Sequence, residues 1–120
     1  MGGCDGESPD RVAPGVWGGV GLVVTVSATG AEAEFDCAIG QIEEPLALDR
    51  IGTFEILGTM TLGHGGPVRE DEEPDIHPAV YRGRLDDDVL YVSVRIVDLG
   101  TTTETFALRK DNPGLLRRCL

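Results

Sequence analysis

Apolar and polar residues trade places with a period of two along most of this chain. Val20, Leu22, Val24 and Val26 alternate with Gly21, Val23, Thr25 and Ser27. After Ala28-Thr29-Gly30 the rhythm resumes, with Ala31, Ala33, Phe35 and Cys37 set against Glu32, Glu34 and Asp36. Such a period sends successive side chains to opposite faces of a strand, one toward a core and one toward water. The second arm is the clearer, because its outer face carries only carboxylates. With Val26 opposite Ala31, four residues close a hairpin, a length usually built around a type I turn. Gly30 is then the residue free to take φ > 0.

The rhythm recurs along the chain. Gly15-Val16-Trp17 opens the first strand, which continues into the hairpin. Ile39 to Glu44 reads as a turn with one apolar contact, Ile42. Pro45 then starts a short strand, Leu46 to Leu48, where proline suits a first or edge position. Asp49 to Gly52 turns the chain. Phe54, Ile56, Gly58, Met60 and Leu62 form the next inward set, and Gly58 in mid-strand implies a bend or a close backbone approach. Ala79, Tyr81, Gly83 and Leu85 follow, then an aspartate turn at 86 to 88, then Leu90, Val92, Val94 and Ile96. Leu99-Gly100-Thr101 turns again, Phe106 and Leu108 face inward, and Asn112-Pro113-Gly114 ends that strand. Leu115 to Leu120 is a short last strand or a docked tail.

No segment shows a convincing 3.6-residue period. Seven strands, with an eighth from Leu115 able to pair with the first, predict an all-β, antiparallel up-and-down meander. Such a meander hides its edges by closing into a small barrel; a two-sheet sandwich is the alternative. Residues 1 to 14, mostly Gly, Ser, Pro and Asp, are expected to be a disordered tail. Residues 15 to 120 then make one barrel domain, which 120 residues can support without a metal or a disulfide framework.

Charge narrows the function. A formal charge of −11 repels phosphate backbones and anionic lipid, so no nucleic-acid partner is expected. No apolar run reaches the ~18 residues of a transmembrane helix. Met1-Gly2-Gly3-Cys4 resembles the mature end of a bacterial lipoprotein, with Cys4 as lipid anchor; an ordinary cytoplasmic start with a stray cysteine is the other reading. The balance leans toward the cell envelope or secretion.

One region breaks the rhythm. Gly63 to His77 is long for a connection in a small domain, and such loops are usually functional or disordered. His64 and His77 flank Glu70, Asp71, Glu72, Glu73 and Asp75, and two imidazoles with a carboxylate can hold zinc. The spacing fits no compact motif, so no metal is expected, and no cofactor either. Gly63-His64-Gly65-Gly66 lacks the Lys-Ser/Thr of a phosphate cradle. No Gly-x-Ser-x-Gly is present, and Cys37, read as inward beside Phe35, is poorly placed to ionise. Nothing assembles nucleophile, base and orienter, so an enzyme is not expected.

Gly15-Val16-Trp17 leading into an alternating strand resembles the start of the calycin barrels, the lipocalins and avidins. The resemblance implies an eight-stranded barrel with the Trp17 indole plugging one end and a late arginine, Arg109 or Arg117, packed on it. The lipocalin Thr-Asp-Tyr and the avidin biotin pattern are absent. Phe35 to Ala38, Gly65 to Arg69 and Cys119-Leu120 also resemble segments of small bacterial all-β proteins, which bring no activity with them. Barrels of this type often pin their C-terminal segment, which implies a Cys37–Cys119 disulfide; two buried thiols are the alternative. The expected role is non-enzymatic binding of a small apolar or amphipathic ligand at the barrel mouth. Trp17, Tyr81, His64 and Arg69 are its candidate contacts, with the loop from 63 to 77 as gate. The alternative is an envelope-anchored interaction module that presents its acidic surface and that loop to a basic protein partner.

Overall fold

The computed structural model describes residues 10–63 and 75–117. The described chain contains nine strands and no helix. In order they are β1 (Gly15–Gly19), β2 (Leu22–Val26), β3 (Ala31–Phe35), β4 (Ala38–Ile42), β5 (Thr53–Leu62), β6 (Asp75–Asp86), β7 (Val89–Ile96), β8 (Thr101–Thr102) and β9 (Phe106–Lys110). Every pairing is antiparallel, and β6–β7 together with β9–β1 closes the sheet into an eight-stranded barrel. The two-residue β8 lies outside the ring, on the far end of β7 beyond β9. Its register differs by one residue from that of β9, since Arg95 faces Thr102 whereas Val92 faces Phe106. The extra residue is absorbed near Thr103, whose Oγ1 accepts from the Val94 amide at 3.0 Å.

The long strands follow the period of two. Phe54, Ile56 and Met60 on β5, Ala79 and Tyr81 on β6, Leu90, Val92, Val94 and Ile96 on β7, and Leu108 on β9 are all buried. Together with Trp17, Leu22, Val24 and Val26 they fill a single core. Tyr81 takes the centre. Its hydroxyl donates to the Thr59 carbonyl at 2.5 Å, and burial pushes its pKa well above the usual phenol value. Gly40 and Gly58 make room for it: a Cβ on Gly40 would lie 1.8 Å from the hydroxyl, and one on Gly58 3.0 Å from the ring. Gly58 is thus a close approach, as its mid-strand position implied.

Val26 does pair with Ala31. Gly30, however, has no positive φ; it is needed because a Cβ there would meet the Ile42 carbonyl oxygen at 2.1 Å. Several boundaries also differ from expectation. The first strand is not continuous: Gly21, at φ 89°, turns the chain so that Gly19 faces Leu22. That two-residue turn reverses the phase and leaves Val20 74% exposed. Likewise β3 ends at Phe35, Asp36 and Cys37 form an exposed turn, and Ile39 to Ile42, within the segment 39–44 expected as turn, belongs to strand β4. Cys37 is therefore not an inward residue. Pro45 to Leu48 forms no strand; Ala47 makes one bridge to Arg11, and Leu46 is buried in the core.

The chain ends also pack differently. Val12 is buried, donates to the Leu46 carbonyl at 3.0 Å and lies within the segment expected to be tail. The barrel is closed by β9, not by a strand from Leu115. After Lys110 the chain folds back over the outside of β1, and Leu115 forms a parallel bridge with Val20. Glycine at 18 permits this crossing, because a Cβ there would lie 2.2 Å from the Asn112 carbonyl oxygen. The crossing buries Val23, which alternation places on the outer face.

Candidate functional site

The two ends of the barrel are built from different parts of the chain. At one end the segment from Asp10 to Ala13 and the β4–β5 connection converge on Trp17. The indole is 3% exposed and donates from Nε1 to the Ala13 carbonyl at 2.9 Å. Leu46 and Val12 complete this closure. The indentation left there, about 380 Å³, is ringed by charge: Arg11, Asp87, Asp88, Arg109 and Lys110. Arg109 donates to Asp88 at 3.3 Å. Among the described residues the guanidinium stacked on a ring is that of Arg84, over Tyr91 at 5.2 Å, rather than Arg109 or Arg117 over Trp17.

At the other end the described residues leave a pocket of about 610 Å³. Its walls are Phe35, Ala38, Leu62, Ile96 and Phe106, and Met60 is its floor. Phe35 and Phe106 meet edge to face with centroids 5.8 Å apart, and both are half-buried. Below Met60 the lumen is filled by Tyr81, Leu22, Leu90 and Leu108, each no more than 1% exposed. Space for a ligand therefore exists at the mouth and not deep in the barrel. Asp36, Glu104 and Arg117 supply charge at the rim. Arg117 lies here, at the end opposite Trp17, and its backbone amide donates to Asp36 Oδ1 at 2.7 Å.

The rim carries a further cluster. His77 faces Met60 in the β5–β6 register and Asp75 faces Leu62, so the first turn of β6 stands on the inward side of the wall. His77 Nδ1 lies 2.8 Å from Asp98 Oδ2, and Nε2 lies 2.9 Å from Asp75 Oδ1. The imidazole is 13% exposed. The Asp98 hydrogen bond is the main cause of its raised pKa, with the charge of both carboxylates adding to it. The strand begins at Asp75, so the connection expected to run to His77 is shorter.

The larger groove, about 860 Å³, lies on the outer wall among Glu55, Arg82, Arg84, Tyr91 and Ser93. Its charges are already engaged, Arg82 with Glu55 and Arg84 with Tyr91. Ala47, Leu48 and Phe54 line it as well, but it is more open to solvent than the mouth.

The sequence candidates are scattered by the fold. Trp17 belongs to the closed end, Tyr81 is sealed beneath the mouth with its hydroxyl satisfied, and His64 and Arg69 lie outside the described residues. Cys37 is disulfide-bonded, with Cys119 and Cys4 both outside the described residues. Among the described residues no group of three His, Cys, Asp or Glu is arranged to hold a metal, and no helix is long and apolar enough to cross a membrane. Sequence reasoning missed Phe35 and Phe106 as mouth residues and Asp98 as a partner of His77. The available signal was position: Phe35 ends one strand and Phe106 begins another at the same rim.

No protein-family model, curated protein or solved structure matches this chain.

Proposed function

We propose that this protein is a non-enzymatic binding protein that takes a small apolar or amphipathic ligand in the barrel mouth. The observation that carries the reading is the contrast in lining. One end is sealed by an indole and ringed by charge, while the other presents half-buried Phe35, Leu62 and Phe106 around about 610 Å³. Apolar walls with a few polar rim groups are the usual composition of a small-molecule site. The packed lumen restricts the ligand to the mouth, so a small molecule or the tip of a longer amphipath is the right size.

Nile red, a neutral apolar fluorophore, tests the reading. Its emission is expected to rise and shift to the blue with a saturable isotherm. Leu62→Glu, which places a carboxylate in the wall, is expected to weaken binding at least tenfold. An unsaturable isotherm, or equal affinity in the variant, contradicts the proposal.

The Cys37–Cys119 bridge is part of the same proposal. It is supported by the Arg117 amide held on Asp36, since Asp36 directly precedes Cys37 and Arg117 is two residues before Cys119 in the sequence. Cys4 as lipid anchor remains a sequence proposal, on a residue outside the described ones. The second reading, an interaction module for a basic partner, is favoured by the exposed carboxylates of Glu32 and Glu34 on β3 and of Asp36 in the turn after it. Capture of a basic partner that weakens between low and high salt would support it.

A further inference from the structure

We propose that Asp75, His77 and Asp98 form a proton-operated latch on the mouth, closed while both ring nitrogens of His77 carry protons and released when one proton leaves. As a device regulating that site it rests on the mouth being the binding site; as a structural latch it stands on its own.

The geometry leads directly to the chemistry. A neutral imidazole has one N–H donor and one bare acceptor nitrogen. Here both nitrogens face carboxylate oxygens, at 2.8 and 2.9 Å. Carboxylates accept and do not donate, so both contacts are hydrogen bonds only when the ring is imidazolium. Loss of either proton turns one contact into lone pair against lone pair, beside two negative charges.

The latch replaces missing backbone bonds. The β6–β7 ladder stops at Ala79 opposite Ile96, and beyond it the Val97 amide still reaches the Pro78 carbonyl at 2.9 Å. From there to the start of β6, His77 to Asp98 ties this edge to the turn that leads into β8. Below the tie lie Met60 and Ile96, the floor and one wall of the mouth. Among the described residues the surroundings add no competing cation. On β5 the facing residues are Met60 and Leu62, on the turn the charged group is Asp98, and on β6 itself it is Asp75. Among the described residues His77 is the sole cation paired with either aspartate.

The sign follows. A raised histidine pKa means that the native state holds this proton more tightly than the unfolded chain does. The latch is fully closed below the unfolded value of about 6.5 and is lost as pH rises through the higher folded value.

The test follows His77 by the NMR titration of its ring protons and the Val97 amide by hydrogen exchange, corrected for intrinsic pH dependence, from pH 5.5 to 8.5. Wild-type protection at Val97 is expected to fall about tenfold across the His77 titration, whose midpoint lies above the ~6.5 of a free imidazole. His77→Gln and Asp98→Asn are expected to show low protection at every pH, and Asp98→Asn to lower the His77 midpoint. Val97 protection that is flat across the wild-type titration, or an Asp98→Asn variant that titrates like wild type, overturns the latch. A Nile red Kd that weakens about fivefold in step with the wild-type titration supports control of the mouth, and a Kd constant with pH overturns it. Nile red that binds at no pH defeats the mouth reading alone, and hydrogen exchange still decides the latch.

Discussion

The closed end and the mouth are made from the same alternating strands, yet they behave as different objects. At the closed end the inward pattern terminates in Trp17, and the chain before β1 and the chain between β4 and β5 fold across it. Val12 and Leu46, far apart in sequence, bond to one another there. At the mouth the pattern terminates in Phe35, Leu62 and Phe106, which pack against the core, the two rings edge to face, but stay half-buried. A barrel's strands therefore determine its interior, while its connections determine which end is available. The polar groups differ in the same way. Around Trp17 the charges sit outside the seal; at the mouth the Asp75–His77–Asp98 cluster is built into the wall.

The largest test of this contrast is a pair of truncations. Trp17→Ala removes a fully buried indole and is expected to cost about 3–5 kcal/mol in urea unfolding. Phe106→Ala removes a half-buried ring and is expected to cost about 1–2 kcal/mol, roughly half the value of full burial. Equal costs would mean that the mouth is as tightly packed as the seal. Next comes the filled lumen between the two ends. Gly40→Ala drives a methyl into the Tyr81 hydroxyl and is expected to cost about 1–3 kcal/mol. In a Tyr81→Phe background the same change is expected to cost less, because the nearest clashing atom is gone. An equal cost in both backgrounds would remove Tyr81 from the centre of the barrel.

The smallest effect lies at the closed end, in the turn that leads into β5. Asp49 Oδ2 accepts from the Thr53 hydroxyl at 2.5 Å, and Oδ1 accepts from the Thr53 and Ile51 amides at 2.8 and 3.1 Å. The Thr53 hydroxyl is the chief reason its pKa is lowered. A lowered carboxylate pKa contributes stability that is present above the unfolded value of about 3.9 and is lost as pH falls through the folded value. Asp49→Asn is therefore expected to flatten the acid limb of the stability curve while leaving the alkaline side unchanged. The alkaline side belongs to His77, whose contribution is lost in the opposite direction. A variant that changed both limbs would show the two ends to be linked.

The long strands were legible because each keeps one phase for its full length. On β5, β6 and β7 the inward residues mark the period, and the structure pairs members of these sets, Ile56 with Tyr81 and Tyr81 with Val94. The short strands were not, for two physical reasons. A two-residue turn reverses the phase without changing composition, so Trp17 and Leu22 are both inward although five positions apart cannot share a face of one strand. That mismatch was the readable signal for the turn at Val20-Gly21. In β4 the inward positions are Ala38, Gly40 and Ile42, small because the Tyr81 hydroxyl needs the space at Gly40. A strand whose inner face has been emptied for a neighbour carries little hydrophobic signal. The site was less legible again. Asp98 lies 21 residues from His77, and it is the register of the β6–β7 hairpin, with Ala79 opposite Ile96, that carries the one across from the other.

The most direct measurement for the whole account is an amide chemical-shift map of the isotope-labelled protein titrated with 1-octanol, a small amphipath. Saturable shifts are expected at Gly21, Phe35, Ala38, Leu62, Ile96 and Phe106, with Trp17, Leu85 and Arg109 unmoved. Shifts centred on Trp17 or on the outer wall at Arg82 and Tyr91, or none at saturation, would contradict it.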